Sequence, residues 1–261
     1  MPWCLGTSWA PHGLPLVEEL LGGYWLVTLA PFTLIAMGGG QGRPEWAPAR
    51  HDGEMIRNEP DWAGYYAWSS GREPRRLLLT ACEELGDGAD RTAIDLGCGE
   101  GTEALELLGR GWKVTAVDAE PIALASLRAR VPTPVTERIQ IVCGSFTQVD
   151  LPRAHLIHAG FSLPFCPPRE FPAVWTRIRM ALVPGGIFAG QLFGRRDSWA
   201  DDPNMTFHTR RDVQAVLAGL QILHLSETER DGQAFSGCKH WHTFDILARN
   251  PVSSRYPERR A

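Results

Sequence analysis

The sequence predicts an α/β fold built on a doubly wound, mostly parallel sheet that ends in an antiparallel pair. Three observations carry this expectation. Apolar strand-like runs alternate with helical patterns from residue 92 onward. The run "TAIDLG" leads into glycines and then a helix. Two extended runs with no helix between them close the chain, and these must pair antiparallel, because a parallel return needs a long crossover.

The elements follow in order. Residues 1–54 read as an N-terminal extension, uncharged from 20 to 42 and long enough there to span a bilayer. Pro31 and repeated glycines weaken a helix in that stretch, and Met37 and Met55 offer later starts. A packed or disordered extension is therefore expected, with a membrane anchor as the alternative. Residues 55–90 read as a helical cap or lid, with an aromatic cluster, "DWAGYYAW", before a helix from about Pro74.

Residues 91–250 hold the main domain. Strand "TAIDLG", helix "TEALELLGRG", strand "KVTAVD", helix "EPIALASLRARV" and strands "IQIVCGSF" and "AHLIHAGFS" succeed one another. Helix "EFPAVWTRIRMALVPGG" is expected to close on its glycine pair before strand "IFAGQLFG". Helix "RDVQAVLAGL" takes Thr209 as N-cap. "LQILHLSETERD" and "KHWHTFDILAR" are the last strands, joined by the polar loop "DGQAFSGC", and residues 251–261 form a tail.

Composition narrows the function. The 261 residues are 44% apolar and 21% charged with a formal net charge of −4, which describes a globular protein without the basic footprint of a nucleic-acid binder. Six scattered cysteines without a C-x-x-C pair suit free thiols in the cytoplasm. The histidines form no HExxH zinc pattern, and no metal is expected.

The loop after the first strand carries the chemistry. Gly97, Gly99 and Gly101 are spaced G-x-G-x-G, and Thr102 stands where a dinucleotide fingerprint needs its third glycine. Glu100 and Glu103 at the helix mouth are expected to repel a pyrophosphate. A phosphate-binding loop needs a Lys that is missing here. A cofactor with an amino-acid end and no phosphates fits better. S-adenosylmethionine would place that end on Asp95 and on the backbone of Gly97, Cys98, Gly99 and Gly101. Asp118, followed by Ala119, ends the next strand, where a carboxylate accepts ribose hydroxyls. Ser145 and Phe146, at the end of the third strand, would reach and cover adenine.

"AIDLGCGEGTEALELL", "VTAVD" and "LVPGGIFAGQLFG" resemble the successive motifs of class I S-adenosylmethionine-dependent methyltransferases over about residues 60–250. "SGREPRRLLL", "FSLPFC" and "KHWHTFDILARN" resemble the tellurite-resistance-type small-molecule members. The resemblance implies a Rossmann-like sheet of seven strands with an antiparallel last strand and cofactor at its carboxyl edge. It also implies cofactor contacts for Asp95, Gly97, Gly99 and Asp118. Ser145 stands where many relatives carry Asp, and "AGFSLPF" replaces the Asn/Asp-Pro-Pro-aromatic box, which argues against methylation of nucleic-acid bases.

Methyl transfer needs in-line positioning, and a base if the nucleophile carries a proton. Phe161, Phe165 and Cys166, in the loop after the fourth strand, are expected to face cofactor or acceptor. Tyr65, Tyr66 and Trp68 would form a water-excluding lid. His240 and His242 share one strand face and are the candidate catalytic bases. Gln191, Phe193, Asp197, Trp199 and Trp241 would line the acceptor pocket. Cys98, Cys166 and Cys238 would suit a soft acceptor if their loops met. The expected function is methyl transfer to a small molecule, with no nucleic-acid or membrane partner. The alternatives are a non-catalytic cofactor-binding regulator and a membrane-anchored methyltransferase of a lipid-like acceptor.

Overall fold

The computed structural model describes residues 61–86 and 88–252, together with the backbone of three short strands between residues 20 and 36. Two compact units divide the chain, Met1–Arg57 and Asn58–Ala261. In the first, β1 (Leu20–Leu21), β2 (Tyr24–Leu29) and β3 (Phe32–Ala36) form an antiparallel meander. The apolar stretch thus contributes strands. Among the described residues no helix is long and apolar enough to cross a membrane. The rest of the extension and most of the tail lie outside the described residues.

The second unit opens with α1 (Trp62–Ser69), so the aromatic cluster is itself a helix, capped by Asp61 through Gly64 N at 2.8 Å. α2 (Arg76–Leu85) begins two positions after Pro74. Then come β4 (Thr92–Leu96), α3 (Thr102–Gly109), β5 (Lys113–Asp118), α4 (Pro121–Arg130), β6 (Ile139–Cys143) and β7 (Ala154–Ala159). α5 (Phe171–Ala181), β8 (Leu182–Gly194), the two-residue β9 (Phe207–His208), α6 (Arg210–Val216), β10 (Gln221–Ala234) and β11 (Gly237–Arg249) complete the unit.

The sheet order is β10-β11-β8-β7-β4-β5-β6, with β9 beside β8. The strands from β8 to β6 are mutually parallel, and β11 is antiparallel to both of its neighbours. The expected seven strands are present, with β9 as an eighth. Two boundaries differ from expectation. α5 stops at Ala181 and "LVPGG" opens β8, because Pro184 pushes the residue before it out of the helical region. The "DGQAFSGC" stretch is mostly ladder, since β10 and β11 stay paired up to Ala234 and Gly237, with Gly237 supplying a φ of 107°. Thr209 caps α6 in a reciprocal box with Asp212.

Alternation along each strand separates two cores. Ala93, Val114, Ala116, Leu156, Ile187, Ala189 and Leu247 pack with α2, α3 and α4 on one face. Ile94, Val117, Ile157, Phe188, Phe244 and Ile246 pack with α5 and Val213 of α6 on the other. This double layer buries the parallel strands on both sides and leaves their carboxyl ends to build a site.

Candidate active site

The glycine turn is fastened to β5. Gly97 N and Cys98 N both donate to Val117 O, at 2.8 and 3.0 Å. Gly97 and Gly99 hold φ of 71° and 53°, a region that favours glycine. A Cβ on Gly97 would strike Ser162, and one on Gly99 would come within 2.8 Å of the Tyr66 ring. Cys98 is buried, and burial, with Asp95 and Asp118 beside it, pushes its thiol well up. Gly101 stands at the N-cap of α3.

Asp118 is the last residue of β5. Its Oδ2 accepts from Gly99 N at 2.7 Å, and its Oδ1 accepts from Glu120 N at 2.9 Å and from Tyr66 Oη at 3.4 Å. Burial, then Asp118, raises the Tyr66 hydroxyl far above its ordinary range, so it stays a donor. Tyr66 thus lies over the turn as a lid would, and Trp62 beside it reaches Phe165 with ring centres 5.0 Å apart. Trp68 turns outward and is 55% exposed, against Phe235 at the hairpin tip. Ala119 O receives the Cys143 thiol. Ser145 and Phe146 fall just past the end of β6. Ser145 Oγ pairs with Thr147 at 3.0 Å, and Phe146 rests on the α5-side core.

Asp95 is buried at the end of β4 with its Oδ1 2.9 Å from His158 Nδ1. Burial raises its carboxyl, and His158 opposes that rise. Asp95 Oδ2 and His158 Nε2 are buried without a partner. Glu103 is also buried, so it is not a free charge at the helix mouth. Arg72 clamps it bidentately at 2.5 Å, and Arg75 Nε lies 3.8 Å away. Burial would raise its carboxyl, yet Arg72 holds it below the usual range. The repulsion assigned to Glu103 is therefore corrected, since its charge is met by two arginines. Arg75 in turn lies over the Phe161 ring at 4.6 Å.

Phe161 adopts a left-handed φ of 57°, a conformation that costs a bulky residue about 1–3 kcal/mol. That turn sends its ring to Phe193 and Trp241, and Phe165 joins through Phe193 and Trp199. Phe161, Phe165, Phe193, Trp199 and Trp241 thus form one aromatic wall. Gln191, on the same face, donates to Asp245 at 3.0 Å.

Three expectations fail. His242 and His240 alternate with Trp241 along β11, so they point away from the aromatic wall. His242 is buried against Glu227 at 2.9 Å, and exposed His240 meets Asp231 at 2.8 Å and Glu229 at 3.3 Å. Cys166 packs into the α5-side core. The cysteines do not converge, because Cys98 belongs to the opposite core and Cys238 is exposed beside Gln233.

Sequence reasoning missed Arg72, Arg75, His158 and Lys239. Arg72 and Arg75 fall within "SGREPRRLLL" and His158 within "AHLIHAGFS", but nothing local marks their partners, and only the β4–β7 register, which pairs Asp95 with His158, reveals that contact. Glu227, Glu229 and His242 could geometrically approach a cation, but the Arg196 guanidinium already fills their midst at 2.5–3.3 Å.

The donor set fits S-adenosylmethionine. The Asp118 carboxylate, a turn whose three glycines bare its backbone, and the unpartnered Asp95 and His158 atoms are the kinds of group that its hydroxyl and ammonium groups would need.

Comparison with known proteins agrees. Residues 93–186 match the family described as methyltransferase domain. The carboxy-S-adenosyl-L-methionine synthase of Chromohalobacter salexigens is 38% identical over 141 residues, 52% of this chain and 52% of that protein. The chain spans about half the length of the curated relatives it matches. TehB from Haemophilus influenzae superimposes with a TM-score of 0.59 at 15% identity, covering 72% of this chain and 67% of its own. The 1,6-didemethyltoxoflavin-N1-methyltransferase of Burkholderia thailandensis, solved with S-adenosylhomocysteine, gives 0.52 at 21% identity, covering 72% and 84%. At such identities these two structures speak for the fold alone. Residues 93–186 thus match a methyltransferase domain, and the fold around them is similar to that of TehB.

Proposed function

We propose that the chain transfers the S-adenosylmethionine methyl group to a small-molecule acceptor. The contact between Asp118 and Gly99 N at 2.7 Å carries this reading, because it joins the ribose-binding position to the amino-acid-binding turn in one rigid unit. The cofactor supplies an electrophilic methyl group on a sulfonium. In this reading Asp118 orients the ribose and the Gly97–Gly101 backbone lines the amino-acid end. Arg75 offers its guanidinium to the carboxylate, since Arg72 and Arg75 share the single Glu103 carboxylate and leave positive charge over. Tyr66 and the aromatic wall exclude water and present an apolar surface to the acceptor. The Burkholderia thailandensis neighbour, solved with bound 1,6-didemethyltoxoflavin, supports a small molecule.

Incubation with methyl-labelled cofactor and a panel of small acceptors tests the proposal. Cofactor binding in calorimetry with no labelled product from any acceptor would favour a regulatory binding protein instead.

The excess positive charge at Arg75 favours a second reading, formation of carboxy-S-adenosyl-L-methionine, as the curated relatives are named. The product mass separates the two, as a methylated acceptor or a carboxylated nucleoside.

A further inference from the structure

We propose that His158 is a cofactor-recognition residue, which joins Asp95 in receiving the α-ammonium group of S-adenosylmethionine on its unpartnered Nε2. This rests on the cofactor reading above.

Asp95 and His158 stand directly opposite each other in the β4–β7 ladder. Both are 1% exposed. With Nδ1 2.9 Å from Asp95 Oδ1, the carboxylate fixes the tautomer: Nδ1 carries the proton and Nε2 keeps its lone pair. Two acceptors are then left over, Asp95 Oδ2 and His158 Nε2, buried and without a hydrogen-bond partner. Buried acceptors without donors are rare in folded proteins and call for a ligand or water. An ammonium group has three donors and no acceptor, the complement of this pair.

The position agrees. Asp95 lies two residues before Gly97, and His158 two before Gly160. A side chain on Gly160 would fall 2.7 Å from His158 Cε1 and 3.0 Å from Arg75 Nε, so the imidazole and the guanidinium border the same spot. The other charged and titratable groups around the pair are Cys98 on the glycine turn, Asp118 on β5, Glu103 on α3, and Arg72 on the segment before α2. Gln191 on β8 stands on the same sheet face and links to Asp245 on β11. Arg75 and the Asp95–His158 pair together form a site for a zwitterion, cationic toward the carboxylate and accepting toward the ammonium.

Calorimetry with two ligands isolates this role. S-adenosylhomocysteine carries the amino-acid end, whereas methylthioadenosine shares the nucleoside and thioether but lacks that end. His158→Leu should bind S-adenosylhomocysteine about tenfold more weakly with methylthioadenosine affinity unchanged, which also reports that the site is folded. His158→Gln, with an amide oxygen to accept, should recover part of the loss. Equal weakening of both ligands, or no weakening of either in both variants, overturns the proposal. Wild-type protein that binds neither ligand refutes the cofactor reading itself.

Discussion

Lys239 Nζ lies 2.6 Å from Asp197 Oδ1, both side chains closed off from solvent, and 3.4 and 4.0 Å from the ring centres of Trp199 and Trp241. Asp197 also accepts from Trp199 N at 3.0 Å and from His242 N at 3.1 Å. The pair therefore fastens the loop after β8 to β11 and fixes two rings of the aromatic wall. Removing one partner strands the other charge in the interior, a loss of about 3–5 kcal/mol. Asp197→Ala should lower stability by that amount in urea denaturation. Adding Lys239→Met to it should restore a large part, since the apolar stem still packs on the rings. A cost near zero for Asp197→Ala alone would mean that the charge is not buried.

Asp118→Ala should weaken S-adenosylhomocysteine binding by roughly tenfold to a hundredfold, the range of a lost charged hydrogen bond or two. The Gly99 amide would lose its acceptor at 2.7 Å as well, so the turn should loosen. Asp118→Asn keeps an acceptor for Gly99 N and should bind more tightly than the alanine variant. Equal affinity of wild type and alanine variant in calorimetry would take Asp118 out of the ribose role.

His240→Ala should leave turnover within about twofold, a change below the weight of a catalytic base. His240 faces Asp231 and Glu229 on the exposed hairpin, across the strand from Trp241. His242→Ala is expected to act on stability, because its buried ring accepts from Arg196 N at 3.1 Å and contacts Glu227. A hundredfold fall in kcat for His240→Ala with unchanged cofactor affinity would restore it as the base.

Much of this architecture was legible in the sequence because it rests on local signals. "KVTAVD" is β5 from end to end, and Thr209 caps α6 as its side chain demands. The G-x-G-x-G turn and Asp118 converge because β4 and β5 are adjacent parallel strands whose carboxyl ends must meet. The histidine assignment failed for a different reason. Spacing along β11 shows that His240 and His242 share a face, but which face meets the site depends on packing against β8, where Phe193 pairs with Thr243. His158 and Arg75 were invisible because each gains its role from a partner 63 or 28 positions away. Glu103 misled because a charge at a helix mouth reads as free until the arginine that neutralises it is placed.

His208 gives a pH dependence that can be separated from that of the carboxylates. Its ring packs edge-on against Phe171 with centres 4.8 Å apart, and it is buried. Burial pushes the imidazole down to about 4, with Asp212 pulling the other way. An unfolded histidine takes up its proton near 6.5, so between these values the unfolded chain binds more protons than the folded one. Stability contributed by neutral His208 is thus complete above about 6.5 and falls as pH drops toward 4, by roughly 2–3 kcal/mol in total. The paired carboxylates with lowered values, Asp212 and Glu227, act later, since their unfolded forms protonate only near 4. Across the window from pH 6.5 to 5, the difference between wild type and a His208 variant therefore reports on the histidine. Urea midpoints should fall more steeply across that window for wild type than for His208→Gln, whatever the variant loses at neutral pH. Parallel slopes for the two proteins would show that His208 is already charged in the fold.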